Sequence, residues 1–367
     1  MPTVAASGRC QFSGGDLPIA LLKGLHGRDA RGLASLLMTR RGELDAVART
    51  LVDERLGVYA YAATESLSLG GLWPRAVLTR LRDQWTGQQQ RNALLRDALA
   101  TIESAFGSVG VEYLLLKGLP LADRFYGGVE RRFTWDLDLL VRESDCARGV
   151  HALAGIGVHG PSFTGGFHRV ARRVAHAMEC HRTDGLSVDL HWAFRRLPGL
   201  LFPADKVFDD RRFYELGGHR YPIPSDEHML VQVLLGIAAD VDRSLCRLRS
   251  LWDAYVILRT RPVSDWTGFL RRRETEGCLG LVTNAIALVV HRMDAAEEFA
   301  DLLHVLGTYQ GGLPVLQPQQ AAAILARPPH ALRNHFVFAC WQSQPRWRYW
   351  SWWAATLPAR AFFARRI

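Results

Sequence analysis

Three aspartates occupy positions where a carboxylate is expensive. Asp136 and Asp138 lie in "FTWDLDLLV" (133–141) and Asp189 lies in "LSVDLHW" (186–192), apolar runs that read as strands. Side chains alternate along a strand, so Asp136 and Asp138 project from one face, while Trp135, Leu137, Leu139 and Val141 pack inward from the other. In the second run Ser187, Asp189 and His191 share a face, and Val188, Leu190 and Trp192 share the opposite one. Two carboxylates at i and i+2 repel when both are ionised in a low-dielectric site. A divalent cation removes that conflict, and hard oxygen ligands of this kind suit Mg²⁺ or Mn²⁺. From the pair alone, a solvated strand face at a sheet edge is an equal alternative. The third aspartate, on a second apolar strand, turns the reading toward a two-metal phosphoryl-transfer centre.

Other residues fit the same chemistry. "YLLLKG" ends an apolar strand at Gly118, where backbone amides can approach a phosphate with no Cβ in the way. Lys117 beside it adds positive charge. Of 45 Lys and Arg residues only Lys23, Lys117 and Lys206 are lysine, which marks Lys117, because the two cations are not interchangeable at a phosphate. Arg132, four residues before Asp136, has two roles open to it: stabilising developing phosphate charge, or pairing with an aspartate. For His191 the ordinary role is a hydrogen-bonded structural histidine, ahead of a proton acceptor or an outer-shell partner of a metal ligand. His176, Glu179 and His181 lie on the other arm of a hairpin turning at Asp184-Gly185, and its register decides which of them faces Asp189. Asp253 reads as a helix-packing or salt-bridge residue.

These residues need a scaffold. Residues 16–108 repeat apolar positions at helical spacing, 111–222 read mainly as strands, and helices return from about 225. Ser144 is expected to cap a helix over "RESDCARGVHALAGIG", and Ser225 one over "DEHMLVQVLLGIAADV". The expected class is α+β: a small mixed β-sheet core (109–222) between an N-terminal helical region (1–108) and a C-terminal one (223–320), then a basic tail (321–367).

Composition narrows the function classes. The net charge is +9, and the acid-free segment after Asp301 carries seven arginines, so basicity describes the tail more than the core. Residues 341–367 hold five of the eleven tryptophans and five arginines. That mixture suits an amphipathic helix packed on the protein, then a membrane surface, then nucleic acid. No apolar run approaches the roughly 18 residues of a membrane span. The start lacks a signal-peptide pattern, which leads us to expect a cytoplasmic protein, with peripheral membrane contact through the tail as a further expectation. Six scattered cysteines with no CxxC pair argue against disulfides or a thiolate zinc site.

The order strand–Gly–helix–DxD strand–third Asp resembles the nucleotidyltransferase superfamily of DNA polymerase β type. In detail it is similar to a family of uncharacterised bacterial nucleotidyltransferases with a "KG" turn, an arginine four residues before the first Asp, a "DLDLLV" strand and a "VDLHW" strand. Lys117-Gly118, Arg132, Asp136–Val141 and Val188–Trp192 supply all four, and "LRSLWDAYVIL" with Arg249 and Asp253 fits as well. The likeness covers most of residues 20–290. It departs from the wider superfamily at Leu119, where a small hydroxyl residue is usual, and in the longer "GGVERRF" loop before Asp136. The resemblance implies that Asp136 and Asp138 hold the Mg²⁺ or Mn²⁺ bound to an NTP's triphosphate. It implies that Asp189 completes a second metal site and helps deprotonate the acceptor, and that Lys117, Gly118 and Arg132 serve the phosphates. The reaction implied moves an NMP to a hydroxyl, or less readily a phosphate, of a small molecule, sugar, peptide or protein, releasing pyrophosphate. Two alternatives stay open at this level: a non-catalytic nucleotide- or partner-binding module of the same fold, and a toxin-like transferase acting on RNA or protein.

Overall fold

The structure is a computed structural model. It describes residues 16–160, 175–195, 200, 204–242, 245–309 and 315–326, with 339, 341, 350, 351 and 354 as single positions. Most of the tryptophan- and arginine-rich tail lies outside these residues. Of its tryptophans, Trp341 is buried and Trp350 packs partly buried against the core. No helix among the described residues is long and apolar enough to cross a membrane.

The first helices are α1 (Leu17–Gly27), α2 (Ala30–Thr39), α3 (Leu44–Asp53), α4 (Gly57–Ser66) and the 34-residue α5 (Arg75–Ser108). The buried stripe of α5 runs through Val77, Leu81, Leu95, Leu99, Ile102 and Phe106 at three- and four-residue spacing. Midway along it, Gln88 and Asn92 replace apolar residues and are buried too. Strand β1 (Tyr113–Leu116) leads directly into α6 (Gly118–Tyr126), and β2 (Leu137–Val141) follows a loop containing a 3-10 turn at Val129–Arg131.

Helix α7 (Cys146–Gly155) then precedes the hairpin of β3 (Ala177–His181) and β4 (Ser187–His191). The sheet order is β1-β2-β4-β3, with β2 and β4 parallel and the outer pairs antiparallel. A parallel neighbour needs a long crossover, which α7 and β3 provide. Helix α7 packs against β4 and α5, with Leu190 and Phe106 within van der Waals reach of Gly149.

Helix α8 (Ala204–Asp209) and a second hairpin, β5 (Arg212–Leu216) with β6 (His219–Ile223), complete the middle of the chain. Beyond it come α9 (Asp226–Asp242), α10 (Leu248–Arg259), α11 (Trp266–Thr275), α12 (Leu279–Arg292), α13 (Ala300–Thr308) and α14 (Pro318–Leu325). Helix α12 is buried along most of its length, which matches its nearly unbroken apolar sequence. The expected α+β class, with a small mixed sheet between helical layers, is what the chain adopts.

Three local expectations need correcting. Ser144 does not cap α7: Glu143–Asp145 form a 3-10 turn, and the Ser144 hydroxyl donates to Asp145 Oδ1 at 3.2 Å. Asp136 lies just before β2 rather than within it. Trp135 therefore escapes the strand's alternation and is 52% exposed instead of packing inward. Ser225 does hold the start of α9, accepting from the His228 backbone N–H at 3.4 Å.

Candidate active site

The parallel pairing of β2 with β4 sets Asp138 directly beside Asp189. Neighbouring strands lie about 4.8 Å apart, so in-register side chains on one face must meet. Oxygens of Asp138 and Asp189 and a ring nitrogen of His191 all fall within 4.8 Å of one another. Asp136 stands outside that tight group, but its charge reaches both other aspartates. The hairpin register leaves Glu179, not His176 or His181, opposite Asp189. Glu179 accepts from the Ser187 hydroxyl at 3.4 Å.

The electrostatics of the three aspartates differ. Burial, then the Asp138 charge, pushes Asp136 up to about 6. Burial, then Asp138 and Asp136, pushes Asp189 up to about 8. Burial works against Asp138 ionising too, but it is outweighed. Lys117 Nζ sits 3.6 Å from Asp138 Oδ1, His191 Nε2–H donates to the same oxygen at 2.9 Å, and Arg132 adds its field, so Asp138 is held below the ordinary range. Burial keeps His191 neutral, its pKa lowered despite Asp138. Its Nδ1 is buried with no hydrogen-bond partner among the described residues.

Lys117 and Gly118 are bent into place. Both have positive φ, +35° at Lys117 and +43° at Gly118. For a lysine that conformation costs on the order of 1–3 kcal/mol and persists only where the surroundings impose it. A Cβ at Gly118 would also stand 3.1 Å from the Thr134 methyl. Gly118 is the first residue of α6, so unpaired amides and the positive end of the helix dipole lie next to Lys117 and Asp138.

Helix α5 fixes the loop that carries Asp136. Gln88 Nε2 donates to Thr134 O at 2.8 Å, Asn92 Nδ2 to Val129 O at 3.0 Å, and Arg91 Nε to Trp135 O at 2.7 Å. The sequence shows these residues only as a polar face of a long helix, and that face is the strut of the site. Arg132 is committed elsewhere. Its Nε and Nη2 donate to Asp253 at 2.8 and 2.7 Å, and Tyr126 O–H donates to Asp253 at 2.6 Å, all buried. Asp253 is thus the salt-bridge residue expected, whereas Arg132 pairs with it rather than with Asp136 or Asp138.

The donor set fits a hard divalent cation. Carboxylate oxygens converge, two of the three carboxyls are pushed up by burial and by the neighbouring carboxylates, and a neutral histidine orients a third.

A family model described as "Uncharacterised nucleotidyltransferase" matches residues 41–294, more than half of the chain. No curated protein matches the sequence. Among solved structures, the antibiotic-resistance factor ANT(2'')-Ia aligns at 12% identity and a TM-score of 0.34, over 58% of this chain and 97% of its own. An antigenic nucleotidyltransferase-like protein from Paracoccidioides brasiliensis aligns at 17% identity and a TM-score of 0.34, over 57% of this chain and 90% of its own.

Proposed function

This chain belongs to the family of uncharacterised nucleotidyltransferases, and from that premise we propose a metal-dependent enzyme that moves an NMP from an NTP to a hydroxyl of an acceptor, with release of pyrophosphate. The observation that carries the reading is the in-register pairing of Asp138 with Asp189 on parallel strands, with Asp136 just ahead of β2 and electrostatically coupled to Asp138. Asp136, Asp138 and Asp189 would hold Mg²⁺ or Mn²⁺. When bound, such ions offset the negative charge that gathers on the triphosphate during an in-line displacement.

The chain's own residues do the rest. Lys117 and the first amides of α6 face the phosphates and orient the leaving pyrophosphate. The acceptor oxygen bonds to the α-phosphorus as the bond to the bridging oxygen breaks, and pyrophosphate departs with that electron pair. Asp189, the carboxyl with the highest proton affinity of the three, is the group we assign to take the proton of the acceptor hydroxyl. His191 holds Asp138 in orientation through its Nε2–H. Arg132, held by Asp253, adds a fixed positive field to Asp138.

The test is direct. Full-length protein is supplied with Mg²⁺ or Mn²⁺, labelled NTPs and a panel of hydroxyl acceptors, and pyrophosphate release and label transfer are followed. Activity is expected to vanish with a chelator and in Asp136→Ala, Asp138→Ala and Asp189→Ala. Activity unchanged by those substitutions would defeat the reading.

A further inference from the structure

Arg55, Arg247 and Arg249 make a cationic corner beside Asp136 that the roles above leave unused. Arg55 lies in the connection between α3 and α4, with φ +58°, and its guanidinium is 4.9 Å from the Phe133 ring centroid. Phe133 precedes Asp136 by three residues and stacks parallel to Trp135, with centroids 6.4 Å apart. Arg91 covers Trp135 at 4.5 Å, so two guanidiniums and two rings lie along the loop just ahead of Asp136. Arg247 and Arg249 flank the first residue of α10. Glu54 Oε2 accepts from the Arg249 backbone N–H at 3.4 Å, which ties the N-terminal helical layer to the C-terminal one at this point.

The corner sets three guanidiniums against two nearby carboxylates, Glu54, which feels Arg249 and Arg247, and Asp136, which feels Arg249. Among the described residues, none of the three guanidiniums makes a side-chain hydrogen bond or a close ion pair. Asp253 is taken by Arg132 and Tyr126. Burial, then the fields of Arg132, Arg55 and Arg247, lowers the Arg249 pKa. Asp136 is the acid that offsets Arg55 electrostatically, and a cation on the aspartates would claim that charge.

We propose that Arg55, Arg247 and Arg249 bind an oxyanion of the acceptor, a phosphate or carboxylate carried near the hydroxyl that receives the nucleotide. The inference rests on the nucleotidyltransferase reading and adds a substrate class to it. Guanidinium forks match the paired oxygens of phosphate and carboxylate. The NTP's phosphates have their own cradle in the Lys117–Gly118 turn, which the sheet supplies. The three arginines come from the helical layers instead, Arg55 from the N-terminal one and Arg247 and Arg249 from the C-terminal one. The same oxyanion chemistry could be met by the NTP's own polyphosphate, and the experiment separates the two.

Orthophosphate binding is measured calorimetrically on full-length protein, first alone and then with saturating Mn²⁺ and α,β-methylene-ATP. Wild type is compared with Arg249→Gln, Arg55→Gln and Arg247→Gln; Arg55 and Arg247 are exposed, which keeps the test alive if the change at half-buried Arg249 disturbs folding. Phosphate binding by wild type in both states is expected, weakened about tenfold or more in the variants, the loss of a charge-assisted contact. Nucleotide affinity is expected to stay within about twofold. A parallel loss of nucleotide affinity would overturn the proposal by giving the arginines to the NTP. Equal phosphate binding by wild type and all variants would overturn it as well. Absence of nucleotide binding by wild type would overturn the underlying reading, and the acceptor assignment with it, even where phosphate binding persists.

Discussion

Asp253 and Asp138 are both buried carboxylates, set on either side of the loop that leads into β2, and they live in opposite surroundings. Asp253 accepts from Arg132 twice and from Tyr126 once, and burial is outweighed so that its pKa is lowered. Asp138 has a lysine at 3.6 Å and a histidine at 2.9 Å, but it also has Asp189 beside it and Asp136 next to it. One site is closed and satisfied. The other is satisfied at a single carboxylate and leaves two more pushed up to about 6 and about 8. Burial alone therefore does not mark function. What marks it is a set of like charges held together by a rigid sheet, with too little positive charge beside them among the described residues to neutralise them all.

That contrast is open to breaking, beginning with the largest effect. Asp138→Asn is expected to lower nucleotidyl transfer by about a thousandfold or more, since cation-mediated charge stabilisation is worth several kcal/mol. Its melting temperature should stay near that of wild type, read by circular dichroism alongside pyrophosphate release. Asp253→Asn should do the reverse. It leaves Arg132 buried without its counter-charge, and urea unfolding should show a loss of about 3–5 kcal/mol. Equal stability of the two variants would erase the distinction between the sites.

A smaller effect follows from protons. Asp189 has a folded pKa of about 8, above its unfolded value of about 3.8, so the stability it contributes is full below about pH 4 and is lost as pH rises through 8. The cation-free protein should therefore melt lower at pH 8 than at pH 6, through this group. Mn²⁺ must displace the Asp189 proton, so its stabilising shift should be larger at pH 8 than at pH 6. Thermal melts at both pH values, with and without Mn²⁺, measure this. A larger shift at pH 6 would contradict the assignment.

The smallest effects belong to the supports. Gln88→Ala should cost about 1–2 kcal/mol by leaving Thr134 O without its donor, and should lower activity through the loop that carries Asp136. Gly118→Ala should cost about 1 kcal/mol from its left-handed φ, with a further rise in KM for the NTP.

Much of this was legible in the residues. Alternation along "DLDLLV" and "VDLHW" marked two strands with acids on one face, and Asp184-Gly185 marked the hairpin that positions the second. The same alternation misled at Trp135, because β2 begins only at Leu137 and the rule has no force on the loop before it. The partner of Arg132 was hidden by distance: 121 residues separate it from Asp253, and no local pattern encodes such a pairing. The roles of Gln88, Arg91 and Asn92 are not in the pattern, since helical spacing does not say what lies opposite the polar residues of α5. The arginine corner was equally silent, because its members come from two helical layers that meet only in the folded chain.

The central claim is that the aspartates of β2 and β4 form a cation site rather than a buried structural cluster. Electron paramagnetic resonance of free Mn²⁺, titrated into full-length protein at pH 8, tests it most directly. Saturable binding is expected in wild type and should be lost in Asp138→Asn and Asp189→Asn, with Asp253→Asn, kept below its melting temperature, binding as wild type does. Binding that survives in Asp138→Asn and Asp189→Asn, or that fails in wild type, would contradict the account.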